Sequence, residues 1–195
     1  VAVTIPGRIN GVASVGQRGI LFTRETIYQF SGDGPNDNGE GSYSQPIQVE
    51  SSVGLQDWRS LVETPMGLMF QGSDGNLWLL PIQGGPPNQI GAAVEDTLTA
   101  YPTVTAAVLA QDEQLVSFTC NNSGGTDSRI VHFDLIAQTW IVDEFASVTP
   151  IAAACHYQGR LVYLSAGIAY KERSTHPPAA YLEHSLTTGD HRPFG

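Results

Sequence analysis

Residues 31–41, SGDGPNDNGEG, carry the acidic and amide side chains of a calcium loop. Such a loop needs oxygen donors at alternating positions, a glycine at the sixth for the sharp turn, and a glutamate at the twelfth. Counting from Asp33, the third position is Pro35, the sixth is Asn38 and the twelfth is Ser44. None of these meets the requirement. Gly, Pro, Asn and Asp each favour turns for local backbone reasons. The stretch therefore reads as the connection from a strand ending at Phe30 to one starting at Ile47, with a low-affinity cation site as the alternative.

The remaining reactive residues are dispersed. His132 alternates with apolar neighbours and reads as a packed or rim histidine. His156 lies in a hairpin-like CHYQG, and His176, His184 and His191 are spaced loosely over the tail. No pair has the i,i+4 spacing of a helical zinc site. Cys120 and Cys155 sit in apolar runs, FTC and IAAAC, and read as two buried thiols rather than a disulfide or a metal pair. GxSxG, GxxxxGK[ST] and HExxH are all absent. Serines, histidines and aspartates occur in no recognisable local arrangement. Asp112 and Glu113 fall in a turn and read as solvated. Trp58, Trp78 and Trp140 could stack on sugars, but their strand-like positions favour packing within or between sheets. No catalytic, cofactor-binding or metal-binding residue is assigned, and the expectation is of a protein that is not an enzyme and carries no cofactor.

The elements around these residues have a clearer signature. The chain has 195 residues, 41% hydrophobic and only 14% charged, with 21 Gly and 12 Pro. That length supports one sizeable core. Few charges and many turn formers point to short strands. An apolar residue, any residue and an aromatic recur as Ile20-Leu21-Phe22, Leu68-Met69-Phe70, Val116-Ser117-Phe118 and Leu161-Val162-Tyr163. The spacings are 48, 48 and 45 residues, near the period of ~40–50 residues of propeller blades. Each triplet follows another short apolar strand: GVASV, SLVET, TAAVLA and PIAAAC. A third strand follows each: TIYQF, NLWLL, RIVHFDL and GIAYKE. Candidate fourth strands are IQVESS, IGAAVE, QTWIVDE and YLEHSL. In HFDLIAQTWIVDE an Asp precedes the turn and a Trp follows it, a polar cap and a gap-filling aromatic. VEDTLTAYP is the only short helical candidate. The expected fold is all-β and β-propeller-like, with four consecutive antiparallel blade units near 9–52, 59–96, 103–145 and 148–188. Four blades could close a small ring, but the turn-like ends suggest a piece of a larger propeller or chain.

The net charge of -10 and the scattered nine Lys and Arg argue against direct binding of DNA or RNA, which needs clustered positive charge. No apolar run approaches the ~20 residues that span a bilayer.

The run GDGPNDNGEGSYSQPIQVESSVGLQDWRSLVETPMGLMFQGSDGNLWLLP resembles a stretch of tailed-bacteriophage and prophage structural proteins. These carry a GxGP…G loop, a VG(C/L) step and then S-V-V-x-T-P-x-G-(I/L)-x-F-x-S-x-x-G-(I/L)-(W/Y)-x-L. The corresponding residues here are Ser60 to Gly72, then Gly75-Asn76-Leu77-Trp78-Leu79-Leu80. Downstream, IGAAVED is similar to the family's IG-x-x-V-E step, and FDLIAQTW to its blade motif. The similarity covers residues 15–145, with a weaker continuation. The chain departs from the pattern at Leu55, where Cys is common, and at Gln83-Gly84-Gly85, where an Arg-containing turn is frequent.

The resemblance implies a non-enzymatic virion structural protein of the tail or of the nozzle below the portal, made in the host cytoplasm. Its expected partners are copies of itself in a ring and other virion tail proteins. Genomic DNA would pass without specific binding, and there would be no membrane segment. The alternatives are a glycan- or receptor-binding propeller module using loops 31–46 and 171–180, and a hydrolase or lyase on a propeller scaffold.

Overall fold

The computed structural model of the chain describes residues 5–38, 40–144 and 150–171. These form an all-β protein of four small antiparallel sheets, each a meander whose strands neighbour one another in chain order. The chain divides into two compact units, Val1–Ala92 and Ala93–Gly195.

The first unit contains two sheets. Strands β1 (Gly11–Val15), β2 (Arg18–Phe22), β3 (Ile27–Phe30) and β4 (Ile47–Val49) make one, in the order β1-β2-β3-β4. Strands β5 (Val62–Thr64), β6 (Gly67–Gln71), β7 (Leu77–Pro81) and β8 (Asn88–Gln89) make the other. Alternation sends successive side chains to opposite faces, and in β6 both faces are buried. Ile20 and Phe22 of β2, Ile27 of β3, and Leu68 and Phe70 of β6 fill a common core with Val15, Val49, Leu55 and Leu80. The rings of Phe22 and Phe70 meet at 5.1 Å, tilted by 57°. Arg18 adds a polar tie: its guanidinium donates to Gln29 Oε1 at 2.8 Å and to the carbonyls of Pro81 at 3.1 Å and Ile82 at 2.9 Å. Gly67 opens β6 at φ 141 with its α-carbon against the backbone of Leu80, a place closed to any side chain.

The second unit begins with a short helix, α1 (Glu95–Ala100), and continues into β9 (Thr103–Ala110), β10 (Leu115–Asn121), β11 (Ser128–Asp134) and β12 (Thr139–Glu144). Three further strands, β13 (Ile151–His156), β14 (Leu161–Ser165) and β15 (Ile168–Lys171), form the last sheet. Between the two sheets Ile130, Ile151, Leu161 and Tyr163 are buried together, with Val108, Ala154 and Tyr170 packed against them.

All four recurring triplets lie in the second strand of their sheet. Both outer members are buried in every case: Ile20 and Phe22, Leu68 and Phe70, Val116 and Phe118, Leu161 and Tyr163. One expected strand is not a strand. In IGAAVE, Gly91–Val94 forms a 3-10 turn that runs into α1. The fourth strand of that sheet is instead the two-residue β8, placed just after Pro86-Pro87. Ala-Ala-Val offers no alternation of polar and apolar residues, and Glu95 and Asp96 stand favourably in the first turn of a helix. The candidate strand YLEHSL, 181–186, and loop 171–180 beyond Lys171 lie outside the described residues.

Candidate functional site

The sequence shows no catalytic set, yet the register of the third sheet assembles one by geometry. Ser117 on β10 pairs directly with His132 on β11. Asp143 on β12 pairs with Ile130, two residues from His132 on the same face. Ser117 Oγ lies 2.8 Å from His132 Nδ1, and His132 Nε2 lies 3.2 Å from Asp143 Oδ2. Both contacts are satisfied when Nε2–H donates to the carboxylate and Nδ1 accepts the serine hydroxyl. The residue types follow the order of a Ser-His-Asp triad, but with the two ring nitrogens exchanged: a triad sets Nε2 toward the serine and Nδ1 toward the aspartate.

Burial decides what the arrangement can do. Ser117 is 4% exposed, His132 2% and Asp143 3%. A nucleophilic serine needs an open approach for the substrate carbonyl and donors aimed at the developing oxyanion. Here the hydroxyl is enclosed between strands. The chain of hydrogen bonds fastens β10, β11 and β12 to one another across a buried face, as a satisfied polar network does. Asp143 Oδ1 has no hydrogen-bond partner among the described residues.

The same face carries a second polar group that fixes the neighbouring sheet. Ser128 Oγ donates to Asn121 Oδ1 at 2.6 Å and accepts from the backbone N–H of Ile151 at 2.9 Å. Asn121 Nδ2 and Thr105 Oγ1 donate to the carbonyl of Ile151 at 3.2 and 2.9 Å. Both backbone groups of the first residue of β13 are thus held by side chains of β9, β10 and β11. No sequence motif announces this seam, because its members are brought together only by strand register.

Loop 31–46 joins β3 to β4. Asn36 turns back on the loop itself: its Oδ1 accepts from the N–H groups of Asn38 at 3.0 Å and Glu40 at 2.9 Å. Ser31 and Ser44 close the base, with Ser44 N–H donating to Ser31 O at 2.7 Å and Ser31 N–H to Ser44 Oγ at 3.0 Å. Among the described residues, no three His, Cys, Asp or Glu side chains are grouped as a metal ion would need. Asp112 and Glu113 lie exposed in the β9–β10 turn.

Two expectations change. Trp58 does not pack between sheets: it is 61% exposed, with the Arg59 guanidinium 5.1 Å from its ring centre. It sits in a 3-10 turn, Trp58–Ser60, capped by Asp57, which leaves the indole outside. Trp78 and Trp140 are packed, Trp78 against the first unit's core and Trp140 4.7 Å from Phe133. The two cysteines also differ. Both are free, but only Cys120 is buried, and Cys155 is exposed. IAAAC reads as an apolar core run, yet Ala152, Ala153 and Cys155 of β13 all face outward. His156 is half-buried at the end of β13, and its Nε2 has no hydrogen-bond partner among the described residues. Among the described residues, no helix is long and apolar enough to cross a membrane.

No protein-family model matches the chain, and no curated protein matches it. Solved structures share its fold. PorZ, an essential bacterial surface component of the type-IX secretion system of Porphyromonas gingivalis, matches with a TM-score of 0.57 at 15% identity. The match covers 92% of this chain, which spans only 22% of PorZ. The computationally designed Ika4 protein matches with a TM-score of 0.52 at 13% identity, over 88% of this chain and 94% of its own. At such identities the likeness is one of fold alone.

Proposed function

We propose that the chain is a structural module of a bacteriophage virion, built as consecutive β-propeller blades and assembled with copies of itself and other tail proteins into a ring around the DNA exit path. The observation that carries this reading is the succession of four antiparallel meanders, each with its apolar-x-aromatic triplet buried in the second strand. That pattern agrees with the resemblance of residues 15–145 to tail and nozzle proteins. Two features support a role through shape rather than chemistry. The constellation of catalytic type among the described residues, Ser117–His132–Asp143, is buried and joins strands. In loop 31–46 the Asn36 amide oxygen is spent on the loop's own backbone.

A ring of this kind uses a head-to-tail interface, which closes only when the rotation per subunit divides the circle. The test is the native mass of the assembly purified from particles, measured beside the denatured mass of its subunit. An integral multiple of the subunit mass, with this sequence inside the subunit, is the expected result. A free monomer of 20.9 kDa would overturn the proposal.

A further inference from the structure

The first unit holds a cavity of about 530 Å³ lined by residues 6–8, Asn10, the turn 23–26 and Tyr28. Its charge is unusual for an acidic chain. Arg18, Arg59 and Arg129 are engaged by carbonyls or carboxylates of their own surroundings. Arg8 and Arg24, both exposed, make no hydrogen bond or ion pair with any described residue, yet both line this one cavity. Glu25 is the only acidic residue beside them, so the lining carries one net positive charge. Tyr28 is 7% exposed, and its hydroxyl bonds to no described residue. Asn10 commits its Nδ2 to the carbonyl of Leu55 at 3.0 Å, which leaves Oδ1 available.

The frame around these groups is fixed before any ligand arrives. Thr23 Oγ1 accepts from the N–H groups of Glu25 at 3.3 Å and Thr26 at 2.9 Å, and Thr23 N–H donates to Thr26 O at 2.9 Å. Behind the turn, Leu55 N–H donates to Thr23 O at 2.9 Å. Gly54 lies so close to the backbone of residues 23–25 that a side chain there would displace the turn. Arg24 and Glu25 therefore project from a braced tip, and a preorganised frame lowers the ordering cost of binding.

We propose that this cavity binds a hydroxylated carboxylate of monosaccharide size, a sugar acid. Guanidinium forks match a carboxylate through paired charge-assisted hydrogen bonds. One net positive charge suits a monoanion, and Glu25 repels a second negative charge while accepting from hydroxyls. Tyr28 and Asn10 supply a donor and an acceptor for the ring hydroxyls. The volume lies within the range of small-molecule sites, about 300–1,000 Å³. The site is independent of the assembly reading and stands or falls by itself.

The test is a titration of the chain with D-glucuronate by heteronuclear NMR, with D-glucose and inorganic phosphate as comparisons. Saturable shifts confined to residues 6–10 and 23–28 are expected with glucuronate, and none with glucose at the same concentrations. Arg8→Ala and Arg24→Ala, both at exposed positions, should each weaken binding about tenfold and leave the melting temperature unchanged. Absence of saturable shifts, equal binding of glucose, tighter binding of phosphate, or unchanged affinity in both variants would each overturn the proposal.

Discussion

Burial pushes the Cys120 thiol from 9.0 up to about 12, while Cys155 stands exposed on β13. The thiolate is the nucleophile, so the two should differ sharply toward alkylating reagents. Iodoacetamide at pH 8 should modify one thiol in the folded chain and two in denaturant, with peptide mapping placing the first at Cys155. Because folding raises the pKa of Cys120, its contribution to stability is whole below pH 9.0 and is lost as the pH climbs toward about 12. Alkaline unfolding should therefore be shallower in Cys120→Ala than in the parent. Phe70 offers a test of packing. It is fully buried against Phe22, and Phe70→Ala should cost about 3–5 kcal/mol. A denaturation midpoint equal to the parent's would remove Phe70 from the core of its sheet.

Side chains of one sheet hold the first residue of the next, and Ser128 is central to that attachment. Ser128→Ala would strip Ile151 N–H of its acceptor and Asn121 Oδ1 of its donor, both buried. Unsatisfied buried groups of this kind cost about 1–3 kcal/mol each. The variant should lose about 2–6 kcal/mol of stability for the two groups together, and the Ile151 amide should exchange with solvent faster than amides in the middle of β10. Unchanged exchange at Ile151 would mean that β13 is held by apolar packing alone. The strands themselves could be read from sequence because period-two alternation and the recurring triplet are local patterns. The turn in FDLIAQTW was equally readable: Asp134 Oδ1 accepts from the N–H groups of Ile136 at 2.8 Å and Ala137 at 2.9 Å. IGAAVE misled because Gly-Ala-Ala-Val has no alternation to separate a strand from a helical turn. The Ser117–His132–Asp143 chain was hidden for another reason. Its members are 15 and 11 residues apart, and only the register that sets Ser117 opposite His132 makes them neighbours. Trp58 was misplaced because its sequence neighbourhood is strand-like, whereas the Asp57 cap turns it outward.

The charge of the chain as a whole bears on what may pass beside it. Each copy contributes a net -10, and the proposed ring would multiply that charge around its axis. Screening leaves such repulsion short-ranged, with a Debye length of about 10 Å at 0.1 M salt, so the effect acts on DNA that touches the wall rather than on DNA at a distance. Nonspecific duplex binding is supplied by clustered Lys and Arg that release counterions. Among the described residues, Arg18, Arg59 and Arg129 are tied to local acceptors, Arg8 and Arg24 share their cavity with Glu25, and Arg160 and Lys171 lie apart from these in the last sheet, at its β13–β14 turn and in β15. The assembled protein should therefore leave the fluorescence anisotropy of a labelled 30-base-pair duplex flat up to about 100 μM subunit in 50 mM salt, where proteins with basic surfaces bind more tightly than their range of about 1–100 μM at physiological salt. A rising curve that collapses with added salt would reveal a basic surface formed on assembly. It would remove passage without binding from the proposal and leave the ring itself to be judged by native mass.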